Sequence, residues 1–179
     1  MPHLRRGRAC AAVMIVACLF GQPASAAGIG ELNLHNVNTG ETLRIVYKRD
    51  GAYVPDALAR LDWFFRDWRQ GRSTKMDPRL YDLLSSIHAE SGSSQPARVH
   101  SGYRSRNTND LLRSRSSGVA KESQHIRGKA IDFHIPGVPV KQLREIALKH
   151  QSGGVGYYPS SRSPFIHIDV AAVRAWPRP

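Results

Sequence analysis

The segment Ser123-Gln124-His125-Ile126-Arg127-Gly128-Lys129-Ala130-Ile131-Asp132 sets an imidazole, His125, seven residues ahead of a carboxylate, Asp132. A second pair, His167-Ile168-Asp169, stands 35 residues past Asp132 in an apolar run. Two histidines and an aspartate from separate segments are a usual ligand set for a catalytic zinc, which keeps a fourth position open for water. Singly, each residue has an ordinary reading: a core or surface histidine, an aspartate at a turn or beside an arginine. The pattern around them argues otherwise. In an extended segment alternate side chains share a face. Ala130, Asp132 and His134 then point one way, and Ile131, Phe133 and Ile135 the other. The same alternation puts Phe165, His167 and Asp169 in front, with Ile166, Ile168 and Val170 behind. Each strand has an apolar back and a ligand-bearing front. A zinc hydrolase follows if the fold brings His125, Asp132 and His167 together.

The elements that must position these groups can be read in order. Leu32 to Lys48 suggests two strands around the turn Asn38-Thr39-Gly40, with Leu43, Ile45 and Tyr47 alternating in the second. Val54, Leu58, Leu61, Phe65 and Trp68 recur at helical spacing after Pro55. Asp77-Pro78 opens a second helix with Leu80, Leu83, Leu84 and Ile87 on one face. Ala97 to His100 is a strand leading into Ser-Gly-Tyr-Arg-Ser (101–105), and Ser105 to Arg113 should be helical. A serine-rich loop from Ser114 to Gln124 arches towards His125, and Ala130 to Ile135 is a strand. Pro139 starts a helix that turns Val140, Leu143, Ile146 and Ala147 inward. Gly153 to Tyr158 is a glycine-rich strand or loop, and Phe165 to Val170 is the last strand. Hairpins and helices without regular alternation indicate an α+β fold with a mainly antiparallel sheet.

The first 26 residues stand apart from this. Arg5, Arg6 and Arg8 precede a short apolar run, Ala9 to Phe20, and Ala24-Ser25-Ala26 is a small-x-small cleavage site. The run is too short to span a bilayer. A cleaved export signal over 1–26 and a single domain over 27–179 are expected, placing the mature protein in the periplasm or otherwise outside the cytoplasm. Ile15-Val16-Ala17-Cys18 is a weak lipobox; simple cleavage after Ala26, without a lipid anchor or stable membrane insertion, is the reading adopted. Both cysteines, Cys10 and Cys18, lie in the signal, so thiolate ligands and a thiol nucleophile are excluded from the mature chain. The full chain carries +12 and the mature domain +9, because the signal holds three arginines and no acid. Outside the cytoplasm such a charge points to an anionic wall polymer or membrane surface rather than nucleic acid. A monomer is expected.

The order Ser-Gly-Tyr-Arg-Ser with Thr108-Asn109, Ser-x-His-x-x-Gly-x-Ala-x-Asp, Gly-Gly-Val-Gly-Tyr-Tyr and Phe-Ile-His-Ile-Asp-Val resembles the M15 group of zinc peptidases, the D-alanyl-D-alanine peptidases and their relatives. The resemblance is strongest to the YcbK-like branch (DUF882) and covers Leu32 to Trp176. It implies a hedgehog/DD-peptidase-like α+β fold and a zinc held by His125, Asp132 and His167. Arg104 matches the arginine that M15 peptidases place over the metal, to bind the scissile carbonyl and steady an oxyanion. Asp169 would orient His167 or help to position water, its ordinary alternative being an ion pair with an arginine. Ser123 reads as a local hydrogen-bonder.

One position departs from the family. Many M15 enzymes carry an acid three residues before the last zinc-binding histidine, and Pro164 stands there. Asp169, His134, Glu122 and His100 are the groups that could accept a proton instead. Tyr103, Tyr157 and Tyr158 either line a substrate groove or pack, and Trp63, Trp68 and Trp176 are expected in the core or at a domain edge. The reading that follows is an exported zinc peptidase acting on peptidoglycan stem peptides, as a carboxypeptidase or endopeptidase. The competing readings are a non-catalytic zinc-containing cell-wall-binding module, favoured by Pro164, and a nucleic-acid-binding domain, opposed by the signal.

Overall fold

A computed structural model describes residues 28–177, so the expected signal over 1–26 lies outside the described residues. Eight strands form one sheet: β1 (Gly30–Asn36), β2 (Thr42–Arg49), β3 (Ala52–Tyr53), β4 (Ala97–Ser101), β5 (Ala130–His134), β6 (Gly154–Tyr158), β7 (Phe165–Asp169) and β8 (Arg174–Pro177). Their order is β3-β2-β1-β4-β5-β7-β6-β8. Only β1/β4 and β6/β8 pair in parallel; the other neighbours are antiparallel. Four helices complete the α+β fold: α1 (Pro55–Phe64), α2 (Arg79–Glu90), α3 (Arg106–Arg115) and α4 (Val140–Lys149). Among the described residues no helix is long and apolar enough to cross a membrane.

The alternation in β5 and β7 does what its chemistry requires. Ile131, Phe133, Ile166 and Ile168 are fully buried and join one core cluster with Leu80, Leu84 and Ile87 of α2 and Leu143 and Ile146 of α4. Burying a side chain of this size contributes roughly 1.5–3 kcal/mol, so a one-residue slip that turned these four outward would be prohibitive. The register is thereby fixed, and it sets Asp132 directly opposite His167, with Ile131 opposite Ile168.

Helix α2 begins one residue later than expected, with Pro78 rather than Asp77 at the N-cap, and the Asp77 carboxylate still accepts the Arg79 N–H at 3.2 Å. Helix α1 is shorter than its apolar spacing predicts. It stops at Phe64 because Asp67 turns the chain, its N–H and C=O both bonded to Arg72 (2.8 and 3.3 Å) and its carboxylate taken by Ser105. Phe65 is still buried, but Trp68 is 39 % exposed, and Trp63 on the outer side of α1 is 53 % exposed. Neither indole belongs to the core.

Two elements beside the candidate site escape the periodicity argument. One is β8, which pairs with β6 and closes the sheet edge beside the site. The other is a 3₁₀ turn, Gln124–Arg127, that carries His125. Gly128 ends that turn at φ +66, and a β-carbon there would stand 2.9 Å from the Lys75 carbonyl oxygen. A residue with a side chain would be strained in this conformation and would press on the loop before α2.

Candidate metal centre

His125, Asp132 and His167 come from the 3₁₀ turn, β5 and β7, and all three are buried. His125 Nε2 lies 3.1 Å from Asp132 Oδ1 and 3.1 Å from His167 Nδ1, while His167 Nδ1 lies 2.8 Å from Asp132 Oδ1. The three atoms form a nearly equilateral triangle. Zinc bonds of about 2.0–2.1 Å in a tetrahedral site set neighbouring ligand atoms somewhat over 3 Å apart, close to this spacing.

The outer nitrogens decide what the inner ones offer. His125 Nδ1 is 2.7 Å from the Gly102 carbonyl, an acceptor only, so this nitrogen carries the proton. His167 Nε2 is 3.1 Å from Asp169 Oδ2 and carries the proton there. These tautomers, assigned from the hydrogen-bond network, turn two bare nitrogen lone pairs towards a carboxylate oxygen. Three acceptors facing one another repel unless a cation sits among them. Histidines whose far nitrogen is held by a carbonyl or carboxylate are the common arrangement behind a metal. The donor set fits zinc, which nitrogen and oxygen ligands bind readily.

The electrostatics agree. Burial and the nearby Arg104 charge lower the His125 pKa to about 4, so its inner nitrogen stays unprotonated at neutral pH. Burial works against the Asp132 carboxylate, but His125 and His167 outweigh it and hold its carboxyl well below the usual range. Burial likewise opposes charge on His167, yet hydrogen bonds to Asp132 and Asp169 raise its pKa overall. His167 is where a proton would compete with a cation.

Arg104 lies over this cluster. Its Nη2 donates to Asp132 Oδ2 at 3.1 Å and its Nε to Ser101 Oγ at 3.2 Å, so the guanidinium is fixed beside the candidate ligands. Asp169 is fully buried behind His167, on the side away from Asp132. Its Oδ1 accepts the N–H groups of Gly154 and Ala171, each at 3.0 Å, and Arg174 donates to both oxygens, at 3.2 and 2.6 Å. With every lone pair engaged, Asp169 is built to position His167 rather than to take a proton from water; its ion pair with Arg174 serves the same end.

The cluster opens into a cleft of about 320 Å³ lined by Arg104, Glu122, Tyr158, Arg174 and Trp176 together with the three candidate ligands. Of the other groups that could accept a proton, Glu122 lines this cleft, exposed and 3.5–3.6 Å from Arg106 and Arg127. His100 and His134 bond to each other at 2.7 Å and do not line it. Ser123 Oγ accepts the His125 N–H, the local role expected of it. Tyr158 lines the cleft, whereas Tyr103 and Tyr157 pack against the core.

Trp176, expected among packing residues, is instead a wall of the cleft. Its ring lies 5.2 Å from that of His167, its Nε1 donates to the Tyr158 hydroxyl at 2.9 Å, and Arg174 covers it at 5.1 Å. A β-carbon on Gly156 would come within 2.9 Å of the indole, so only glycine lets it lie this close to the strand. Arg174 and Trp176 are the cleft residues missed from sequence; an arginine two residues from a tryptophan in the nine residues after Val170 carries no periodicity to mark it.

Comparison with known proteins adds a second line. The family model described as "Peptidoglycan L,D-endopeptidase MepK" (Peptidase_M15_2) matches residues 24–176. The chain is 44% identical over 145 residues to the peptidoglycan L,D-endopeptidase MepK of Escherichia coli (strain K12), an alignment spanning 81% of this chain and 79% of that protein. It is 43% identical over 146 residues to the probable peptidoglycan L,D-endopeptidase MepK of Haemophilus influenzae, spanning 81% of this chain and 77% of that protein.

Proposed function

The chain belongs to the Peptidase_M15_2 family, and from that premise we propose that it is an exported, zinc-dependent endopeptidase that cuts L,D bonds between peptidoglycan stem peptides. Within this reading the sheet is of the hedgehog/DD-peptidase type, residues 27–179 form one domain acting as a monomer, and 1–26 direct export.

His125 Nε2, an Asp132 oxygen and His167 Nδ1 would hold the zinc, which when bound supplies Lewis acidity towards water and a carbonyl. Arg104 offers a fixed guanidinium where negative charge develops on the scissile carbonyl oxygen, and a preorganised donor contributes most at that point. Its bond to Asp132 keeps it in place before substrate arrives. Asp169 and the Gly102 carbonyl keep the two imidazoles in the tautomers that face inward. Trp176 and Tyr158 give the cleft a stiff aromatic wall against which an extended peptide can lie. The mature charge of +9 suits a substrate rich in free carboxylates.

The observation that carries this reading is the convergence of two imidazole nitrogens and a carboxylate oxygen within 3.1 Å of one another, with the outer imidazole nitrogens held by the Gly102 carbonyl and the Asp169 carboxylate. It is tested by metal analysis of the mature protein and by mass spectrometry of muropeptides after digestion, with zinc and with a chelator. One zinc per chain and a chelator-sensitive cut at an L,D cross-link are expected. Zinc-loaded, folded protein that leaves every muropeptide intact would replace the peptidase with the wall-binding module.

A further inference from the structure

Two glycines of β6 make room for the side chains of β8. The strands pair in parallel, setting Arg174 opposite Gly154 and Trp176 opposite Gly156. A β-carbon on Gly154 would stand 2.8 Å from Arg174 Cζ and 2.5 Å from Asp169 Oδ2, so only glycine lets this ion pair lie against the strand. Both β8 side chains thereby reach the cleft, where Arg104 and Arg174 are the two cations among the lining residues.

The Arg174 guanidinium is locked on one edge and open on another. Nη1 donates to Asp169 Oδ1 at 3.2 Å and to the Ala172 carbonyl at 2.8 Å, and Nη2 donates to Asp169 Oδ2 at 2.6 Å. The group also lies 5.1 Å over the Trp176 ring, which fixes its plane. A guanidinium has five N–H donors in a rigid plane. With three engaged, the two that remain lie side by side on Nε and on the adjacent side of Nη2, and among the described residues no group accepts them. Parallel N–H groups of this kind grip both oxygens of a carboxylate. The side chain is 42 % exposed, so a ligand can reach that edge. The Asp169 charge only partly offsets that of Arg174, because its oxygens also serve Gly154, Ala171 and His167.

Only Asp169 and the His167 ring stand between this fork and the candidate metal, through contacts of 2.6 and 3.1 Å. At about 3.3–3.6 Å per extended residue, a carboxylate held there falls on the residue beside the bond being cut or on the next. We propose that Arg174, braced by Asp169 and Trp176, binds a free carboxylate next to the scissile bond and so selects carboxylate-bearing stem peptides over amidated ones. The assignment rests on the peptidase reading for the substrate's identity. The subsite itself is a binding property and can be measured without turnover.

The probe is a fluorescein-labelled linear stem tetrapeptide whose diamino-acid side chain ends in a free carboxylate, set against its side-chain carboxamide. Neither peptide contains an L,D cross-link to cut. Both are titrated into mature protein saturated with zinc, and the metal is counted in each variant so that a lost preference is not a lost metal. The wild type is expected to prefer the carboxylate about tenfold, the lower end of what a hydrogen bond to a charged group contributes. Arg174→Gln should bind both peptides alike, and Arg174→Lys should keep an intermediate preference, because charge remains while the fork is lost. A wild type that binds both alike, or a zinc-loaded Arg174→Gln protein that still prefers the carboxylate, overturns the subsite. If Arg174→Gln fails to fold or to hold zinc, Arg174→Lys decides, and an undiminished preference there overturns the fork. The two readings fail separately. Protein that discriminates between the peptides yet never cuts peptidoglycan refutes the peptidase and upholds the subsite. Protein that cuts free and amidated cross-linked muropeptides with equal kcat/KM does the reverse.

Discussion

Among the described residues two pairs of imidazoles touch, His125 with His167 and His100 with His134, and only the first is arranged to hold a cation. The ring centroids of His125 and His167 are 4.9 Å apart; those of His100 and His134 are 5.0 Å apart. Closeness does not distinguish them. The outer nitrogens do. A carbonyl and a carboxylate hold the far protons of His125 and His167, so both inner nitrogens are bare and face Asp132. No protein group among the described residues fixes the far nitrogens of His100 and His134, so one ring can donate to the other at 2.7 Å and the pair is satisfied while neutral. The proposed metal site is thus set apart by what stands behind its histidines. Substitutions can break or sharpen that distinction.

The largest effect should come from the inner pair itself. His125→Ala is expected to reduce zinc from one per chain to none and to abolish peptidoglycan cleavage, while His100→Ala retains full zinc, both read by elemental analysis of dialysed protein. Zinc retained at native affinity in His125→Ala would remove that residue from the site. Next is Arg104→Ala, which should keep the metal within a few-fold but lower kcat by about 10²–10³, the usual loss on removing one oxyanion donor. Zinc loss in that variant would mean that the bond to Asp132 is the whole of its role. Smaller again is Asp169→Asn, which tests the backing group directly. An amide can turn its NH₂ towards His167 and release the tautomer, so zinc affinity should fall about 10–100-fold, as for other outer partners of ligating histidines. Competition with a chromophoric chelator would measure it, and unchanged affinity would undo the comparison above.

How far the sequence reached follows the same division between local and distant causes. The front and back faces of β5 and β7 were legible because alternation is local, and so was the ligand motif before Gly128. That the strands are neighbours, with Asp132 opposite His167, depends on the order of eight strands and had to be assumed. Helix α1 was read four residues too long because the side chain that ends it, Asp67, is captured by Ser105, 38 residues away. Asp169 was recognisable as a partner of His167, but the donors that saturate it come from Gly154, Ala171 and Arg174, which no spacing connects. Trp176 looked like packing for the same reason: its place beside His167 is set by the parallel pairing of β8 with β6.

The smallest effect concerns the outer pair and is visible only in its dependence on pH. Burial, helped by His100 and Arg98, lowers the His134 pKa from 6.5 to about 4, and burial lowers that of His100 as well. Between these two values the unfolded chain takes up a proton that the native protein refuses. Stability contributed by the neutral pair is therefore fully present above pH 6.5 and falls as the pH drops towards 4. Thermal unfolding of wild type and His134→Gln across that window should show a shallower decline for the variant. His125 and His167 titrate in both proteins, so their share cancels in the difference. Parallel curves would mean that the outer pair ionises as freely as it does in the unfolded chain. The contrast with the inner pair would then lie in the carboxylate alone, with Asp132 rather than the backing groups making the site.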